Sequence, residues 1–386
     1  MSYTPEEIEF LTVGTFDHPE LTLSRKTQIA DIAALRAQYG EFARAVAELL
    51  CARRSGKFPG GAQTRWLADS DSAQQATPLA VSAYRAAHLR GLGVDIVHDV
   101  TCSVGTEGHA LRAAGITYLG SDLDSARLRM ARHNVPDGWF VRADALAPVS
   151  TLPTGGVVLA DPARRAGGRR ITDPAKLLPP LPDLLAAHAG RELAVKCAPG
   201  LNFCEWEGVV EVASVDGAVK EACLYTPGLG DAAVTRRAVL LSADGSCDVI
   251  ANAGRAPDVA AGAPGRFILD PDGAIVRAGL VRHYAAREGL WQLDPHIAYL
   301  TGDRLPAGRS GFEFIEAVPL KKLKAALAAH GCGSLEILVR GVDVDPDQLR
   351  TKLKLKGKRP MAVVLARIGS GPVAHICEPR VSSTED

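Results

Sequence analysis

The chain predicts an α/β fold built on a largely parallel sheet, and three observations carry that expectation. From residue 95 to residue 200, short apolar strand runs alternate with helical stretches, the pattern of strands joined by crossover helices. The runs VDIVHDV, GVVLADP and ELAVKCAPG are apolar along most of their length, as strands covered on both faces are. The first four strand runs each close on an acidic residue: Asp99, Asp122, Asp144 and Asp161.

The elements follow in order. Residues 5–55 read as helices, with Ile32, Leu35, Tyr39, Phe42, Val46 and Leu49 at helical spacing, until Pro59, Gly60 and Gly61 break the pattern. A further helix is expected over 77–93, with Pro78 near its first turn, where a proline is tolerated. The strand VDIVHDV comes next, followed by a Gly-containing turn and the helical GHALRAAG. After these come the strand ITYLGSDLD, the helix SARLRMARHN, the strands GWFVRADAL and GVVLADP, the helical KLLPPLPDLLAAHAG and the strand ELAVKCAPG. In VVEVASVDGAVKEACLYTP two strand runs meet at Val215-Asp216-Gly217, a hairpin signal, and TRRAVLLSADG adds a further strand. Residues 253–264 are rich in Gly, Pro and Ala and read as a surface loop; 265–305 are mixed. From Ser310 the strand FEFIEAVP, the helix LKKLKAALAAHG, the strand SLEILVRG, the helical PDQLRTKLKL and the hairpin of MAVVLARI with PVAHICEP suggest a small α+β domain. The expected organisation is an N-terminal helical region over 1–73, the main α/β domain over 74–250, a connecting segment over 251–309 and the α+β domain over 310–386.

Composition sets the outer limits. A length of 386 residues implies two to four domains. With 47% hydrophobic and 23% charged residues the chain is globular, which excludes wholesale disorder. No apolar run reaches the ~18 residues of a membrane span. The opening MSYTPEEIEF has neither the basic nor the apolar part of a secretory signal, so a cytoplasmic protein without a membrane partner is expected. The eight cysteines form no CxxC pair, and no metal is expected. Lys+Arg and Asp+Glu balance at 44 each, which excludes a globally basic nucleic-acid binder but not a local basic face. Residues 321–359 hold ten Lys/Arg against four Asp/Glu, and 25–65 hold eight against three.

The stretch VHDVTCSVGTEGHAL, residues 97–111, carries the chemistry. A strand ends at Asp99, a small-residue turn follows, and a helix begins near Glu107, which brings a ligand close to backbone N–H groups. The turn is neither a GxGxxG fingerprint nor a phosphate-binding P-loop. Asp122 and Asp124 follow the second strand, some 23 residues after Asp99, where an acidic side chain can grip a ribose diol. Solvated turns explain any one of these aspartates, but poorly explain the ordered series at one sheet edge.

In this respect the chain resembles the class I S-adenosylmethionine-dependent methyltransferases, which have a Rossmann-like sheet, and within them the branch that modifies nucleic acids. DVTCSVGTEG resembles their first motif, GSDLD the second, RADAL the third and LADPARR the fourth, while QQATPLAVSAYRA resembles the segment preceding the first strand. The resemblance covers roughly 74–200 and implies S-adenosylmethionine as cofactor. It implies that Asp99 and the 101–107 loop, with Thr101, Ser103, Gly105 and Glu107, hold the methionine moiety, Gly105 allowing close backbone approach. Asp122, with Asp124 beside it, would hold the ribose hydroxyls and Asp144 the adenine amino group, and Thr77 would lie over the cofactor. Asp161 and Pro162 would face the methyl acceptor. Two departures stand out. Ser103 replaces the usual first glycine, and Asp161-Pro162-Ala163-Arg164 lacks the aromatic that stacks on the target base in amino-group methyltransferases; the Arg164 plane is an alternative stacking surface.

The segment 310–380 is similar to the THUMP-like domains appended to RNA-modifying enzymes, and the whole chain resembles bacterial methyltransferases with a THUMP-like C-terminal domain. This implies an RNA substrate but names no nucleotide; the expected reaction is transfer to a base nitrogen. Arg165, Arg169 and Arg170, beside the Asp161 motif, suit phosphates. Lys352, Lys354, Lys356 and Lys358 alternate with Thr351, Leu353, Leu355 and Gly357, which predicts a cationic ridge. A small-molecule or protein substrate is the alternative. So is pyrimidine C5 methylation with Cys197 as nucleophile, its thiol activated by the neighbouring Lys196.

Overall fold

The computed structural model describes residues 3–383 apart from 62, 63, 150, 164, 167, 168, 171, 172, 202, 204 and 255; for Arg165, Ala166, Arg169 and Arg170 it describes the backbone alone. The chain forms two compact units, Met1–Thr235 with Val239–Asp248, and Arg236–Ala238 with Val249–Asp386.

The first unit opens with helices α1 (Pro5–Val13), α2 (Gln28–Tyr39) and α3 (Ala43–Arg53). A capping box starts α1: the Glu7 N–H donates to Thr4 Oγ1 at 3.2 Å and the Thr4 N–H to Glu7 Oε2 at 2.8 Å. Leu35, Val46 and Leu49 point inward to a core shared with Phe58 and Trp66, and also with Val104 and Met130 of the α/β part. The helices are therefore built into the same unit as the sheet. Their local excess of basic residues is partly spent internally, since Arg53 donates to the carbonyls of Trp66 (3.1 Å) and Phe16 (3.2 Å) and Arg44 pairs with Glu7.

After α4 (Ser70–Gln75) and α5 (Leu79–Gly91), strands and helices alternate: β1 (Ile96–Asp99), α6 (Thr106–Ala113), β2 (Thr117–Asp122), α7 (Ser125–Asn134), β3 (Trp139–Arg142) and β4 (Val157–Ala160). A short hairpin, β5 (Arg165–Ala166) with β6 (Arg169–Arg170), precedes α8 (Leu181–Ala187) and β7 (Glu192–Cys197). Then come β8 (Val209–Val215), β9 (Ala218–Tyr225), β10 (Val234–Leu241) and β11 (Cys247–Ala253). The nine-stranded sheet has the order β11-β10-β8-β9-β7-β4-β1-β2-β3. Strands β3, β2, β1, β4 and β7 run parallel, and β9 is antiparallel to both β7 and β8. The expected hairpin turn is present, with Asp216 (φ 49°) and Gly217 (φ 76°) both left-handed.

Side chains alternate across the sheet. Val157 and Leu159 enter one core with Leu89, Leu111 and Tyr118. Val158 and Ala160 enter the other with Leu181, Leu184 and Val195. Because β1 has β2 on one side and β4 on the other, strand order reverses there. A crevice opens outside the carboxyl ends of strands at such a reversal.

The second unit holds β12 (Phe267–Leu269), α9 (Gly273–Arg277), α10 (Val281–Glu288), β13 (Trp291–Asp294), β14 (Ile297–Gly302), β15 (Ser310–Pro319), α11 (Leu323–Ala329), β16 (Cys332–Arg340), α12 (Pro346–Leu353), β17 (Arg359–Ile368) and β18 (Gly371–Ser382). These strands form one sheet in the order β13-β14-β12-β15-β18-β17-β16. Residues 251–309, expected as a connecting segment, instead supply β12, β13 and β14 to this sheet. The physical reason is pairing: β12 lies antiparallel between β14 and β15, so it is an interior strand. The β17–β18 hairpin formed as expected. Val363 and Leu365 of β17 pack beneath α11 and α12 with Leu323, Leu327 and Leu353. Ala362, Val364 and Ala366 pack on the other face with Ile268 and Phe312.

Candidate functional site

The parallel run β3-β2-β1-β4 brings Asp99, Asp122, Asp144 and Asp161 to one edge of the sheet, at the carboxyl ends of four strands. The aspartates differ in how they are used. Asp122 anchors the loop after β1: its Oδ2 accepts the Ser103 N–H at 3.0 Å and its Oδ1 the Asp124 N–H at 2.9 Å. Asp124 caps α7 by accepting from the N–H groups of Ala126 and Arg127. Exposed Asp144 holds its own turn by accepting from Leu146 N–H at 2.9 Å.

The loop itself is tightly specified. Ser103 (φ 47°) and Gly105 (φ 86°) are both left-handed, a conformation that costs a serine more than a glycine. A Cβ at Gly105 would lie 3.0 Å from Val135, so this glycine allows close approach to α7 within the protein. Thr101 ties the loop to the fourth motif, its Oγ1 accepting the Asp161 N–H at 2.6 Å.

Beneath the loop lies a buried charge network that the strand-end pattern did not reveal. Arg85 on α5 donates to Glu107 Oε1 at 2.6 Å and also pairs with Glu221 of β9. Lys196 of β7 reaches Asp161 Oδ2 at 2.8 Å and Glu107 Oε1 at 3.2 Å, and donates to Thr77 Oγ1. Two cations thus face three carboxylates. The side chains of Arg85, Glu107, Glu221 and Lys196 are at most 5% exposed, whereas Asp161 is 26% exposed, so the network meets solvent at Asp161. Burial alone would raise the Glu107 carboxyl, but Arg85 and Lys196 outweigh it and hold it at about 2. Burial would likewise lower Lys196, yet Asp161 and Glu107 raise it above the usual lysine range. Asp99 behaves differently: burial first, then the Glu107 charge, push it up to about 7, although it accepts from Tyr118 OH at 3.1 Å and Thr101 N–H at 3.2 Å. One buried acceptor, Glu107 Oε2, has no hydrogen-bond partner among the described residues.

Several expectations shift accordingly. Thr77, Asp99 and Glu107 are buried within the protein's own hydrogen bonds. Pro162 is buried, and Arg164 lies outside the described residues. The backbones of Arg165, Arg169 and Arg170 form the β5–β6 hairpin. Cys197 was the alternative nucleophile. Its side chain sits fully buried in the core with Leu181, Leu184 and Val195, on the face of β7 opposite Lys196. Arg85 and Glu221 were missed as site residues, and Lys196 was expected only as the neighbour of Cys197. The available signal was charge at positions inside otherwise apolar runs, in ELAVKC and KEACLY.

In the second unit Lys352, Lys354, Lys356 and Lys358 are all exposed, while Leu353 and Leu355 pack against the core. The segment is not uniformly extended, since α12 ends at Leu353 and Lys354 is left-handed (φ 50°). None of the four lysines pairs with a carboxylate among the described residues. Among the described residues no helix is long and apolar enough to cross a membrane, and no group of three His, Cys, Asp or Glu is arranged to hold a metal.

Comparison with known proteins gives likenesses of three kinds. Residues 310–379 match the family model described as THUMP domain-like. Two strains of Mycobacterium tuberculosis, CDC 1551 and H37Rv, each have an uncharacterized S-adenosylmethionine-dependent methyltransferase that is 46% identical over 360 residues, spanning 89% of this chain and 98% of the relative. A solved structure from Porphyromonas gingivalis W83, named "putative methyltransferase", superposes with a TM-score of 0.65 at 18% identity, over 98% of this chain and 99% of that one, a likeness of fold.

Proposed function

The chain belongs to the S-adenosylmethionine-dependent methyltransferase family of its mycobacterial relatives, and from that premise we propose that it methylates a base nitrogen of RNA. The enzyme class and the cofactor follow from family membership; the acceptor and the residue roles are our own reading.

The residues suit the cofactor. S-adenosylmethionine supplies an electrophilic methyl group on a positively charged sulfur, and an excess of carboxylates over cations among the described side chains of the network favours such a ligand. Glu107 Oε2, buried and without a donor among the described residues, is a fitting acceptor for the cofactor's ammonium group. Asp122 takes the ribose hydroxyls: it holds two backbone N–H groups, and a carboxylate has about four lone-pair sites. Exposed Asp144 takes the adenine amino group. Thr77, Asp99, Thr101, Ser103 and Gly105 shape the pocket, Asp99 through Tyr118 and Thr101 through Asp161.

Asp161 performs the acceptor step. Placed after β4, with its backbone N–H fixed by Thr101, it accepts a hydrogen bond from the acceptor's amino group and orients the nitrogen lone pair toward the methyl carbon. Pro162 stiffens the chain that follows. Arg164, Arg165, Arg169 and Arg170 bring four guanidinium groups in sequence beside that position, suited to phosphates or to stacking on a base.

The observation that carries the RNA reading is the ridge of four exposed lysines, without a carboxylate partner among the described residues, in the THUMP-like region, a shape suited to sequence-independent phosphate contact. A small substrate gives no reason for it. The test is tritium transfer from labelled S-adenosylmethionine to RNA from a deletion strain, followed by nucleoside mass spectrometry. Asp161→Ala should abolish labelling while cofactor affinity by calorimetry is kept. Label appearing in small metabolites or protein, with RNA unlabelled, refutes the RNA acceptor.

A further inference from the structure

We propose that Lys196 is a positioning residue for methyl transfer, acting through Asp161, and this rests on the role given above to Asp161.

An ammonium buried in β7 is tolerated only where its donors and charge are matched. Lys196 has three N–H donors and three partners from three parts of the fold: Asp161 after β4, Glu107 on α6 and Thr77 ahead of α5. Packing alone does not call for a lysine there, because its strand neighbours Ala194, Val195 and Cys197 are fully buried and apolar. Lys196 shares Glu107 with Arg85, which meets that carboxylate at 2.6 Å and pairs with Glu221 as well. What Lys196 adds is a fixed charged contact to the one carboxylate of the network that reaches solvent.

The contact locks the Asp161 side chain. Its backbone N–H is held by Thr101 at 2.6 Å and its Oδ2 by Lys196 at 2.8 Å, so main chain and carboxylate are both pinned. Lys196 stays protonated, since Asp161 and Glu107 hold it above the usual lysine range against the effect of burial. It therefore serves as a fixed cation and not as the proton acceptor. Without it Asp161 loses its 2.8 Å contact to a buried cation.

The experiment compares Lys196→Met and Lys196→Arg in the full-length enzyme. With Lys196→Met, kcat should fall about 100-fold, the cost of misplacing an orienting group, while cofactor affinity by calorimetry stays within about threefold. Lys196→Arg, which keeps the charge, should recover most of the lost turnover. An activity-free readout accompanies this: Lys196→Met with Asp161→Asn should melt higher than Lys196→Met alone, because the second change removes the carboxylate that has lost its Lys196 partner. Turnover within about threefold of wild type in Lys196→Met overturns the proposal, as does cofactor affinity falling in step with kcat in both variants. Additive melting shifts overturn the pairing itself. If the melting cycle shows coupling while turnover is unchanged, the role given to Asp161 is at fault, so the two failures are distinguishable.

Discussion

Arg85 and Glu221 stand 136 residues apart in the chain and meet as a buried ion pair, joining α5 to β9 across the face of the sheet. Removing one partner of such a pair leaves an uncompensated buried charge; without Arg85, Glu221 loses this cation and Glu107 is left with Lys196 at 3.2 Å. Arg85→Leu should therefore destabilise the protein by about 3–5 kcal/mol in chemical denaturation. A loss below about 1 kcal/mol would mean that the pair is held no more firmly than a surface contact.

Asp122 should report on the cofactor directly. Replacing it with alanine removes the acceptor proposed for the ribose hydroxyls and releases Ser103 N–H and Asp124 N–H. Calorimetry should show S-adenosylmethionine binding weakened by about 1–3 kcal/mol. Unchanged affinity would reassign the ribose contact.

Asp99 makes stability depend on pH in a defined direction. Burial and Glu107 push its carboxyl up to about 7, against an unfolded value near 3.9. Below about pH 4 both states carry the proton. Between about pH 4 and pH 7 the unfolded chain releases it while the folded protein keeps it, so stability falls as pH rises, by on the order of 1 kcal/mol per pH unit. Asp99→Asn removes that dependence. Its melting temperature should gain on wild type from pH 5 to pH 7.5, and the gain should level off above that. A difference that does not change with pH would show that Asp99 ionises in the folded protein much as in the unfolded chain.

The lysine ridge predicts a salt effect. Changing Lys352, Lys354, Lys356 and Lys358 together to alanine should weaken RNA binding across sequences and flatten the log–log salt dependence by up to about 0.7 per lost single-strand contact. Cofactor affinity should not move. Wild-type RNA affinity and slope in this variant would remove the ridge from the RNA interface and favour a small-molecule acceptor.

Sequence pattern alone located the parallel sheet and the strand-end aspartates, because both follow from period and punctuation along the chain. Asp99, Asp122, Asp144 and Asp161 each sit where a strand must stop. Lys196, Glu221 and Arg85 lie within a strand or helix, and their meaning comes from which distant elements pair. Lys196 reads as a charge in an apolar strand; only the β4-β7-β9 order shows that Asp161 and Glu221 flank it. Glu107 was placed correctly in the loop-to-helix segment, but its partners were not visible. In the second unit the local signals of α12 and the closing hairpin were sufficient. Residues 251–309 were harder, because β12 is three residues long and its strand character comes from β14 and β15 on either side.

Strand order also has a consequence for synthesis on the ribosome. β7 is made after β4 but before β9, the strand that covers its second edge. When the chain has emerged only as far as Cys197, Asp161, Glu107 and Thr77 are already available to Lys196. At that stage Arg85 still lacks Glu221, and β7 presents an apolar, unpaired edge. Emergence of the β8–β9 hairpin closes both gaps at once. A nascent chain stalled between residues 197 and 221 is thus the species most exposed to strand-to-strand aggregation and to capture by chaperones.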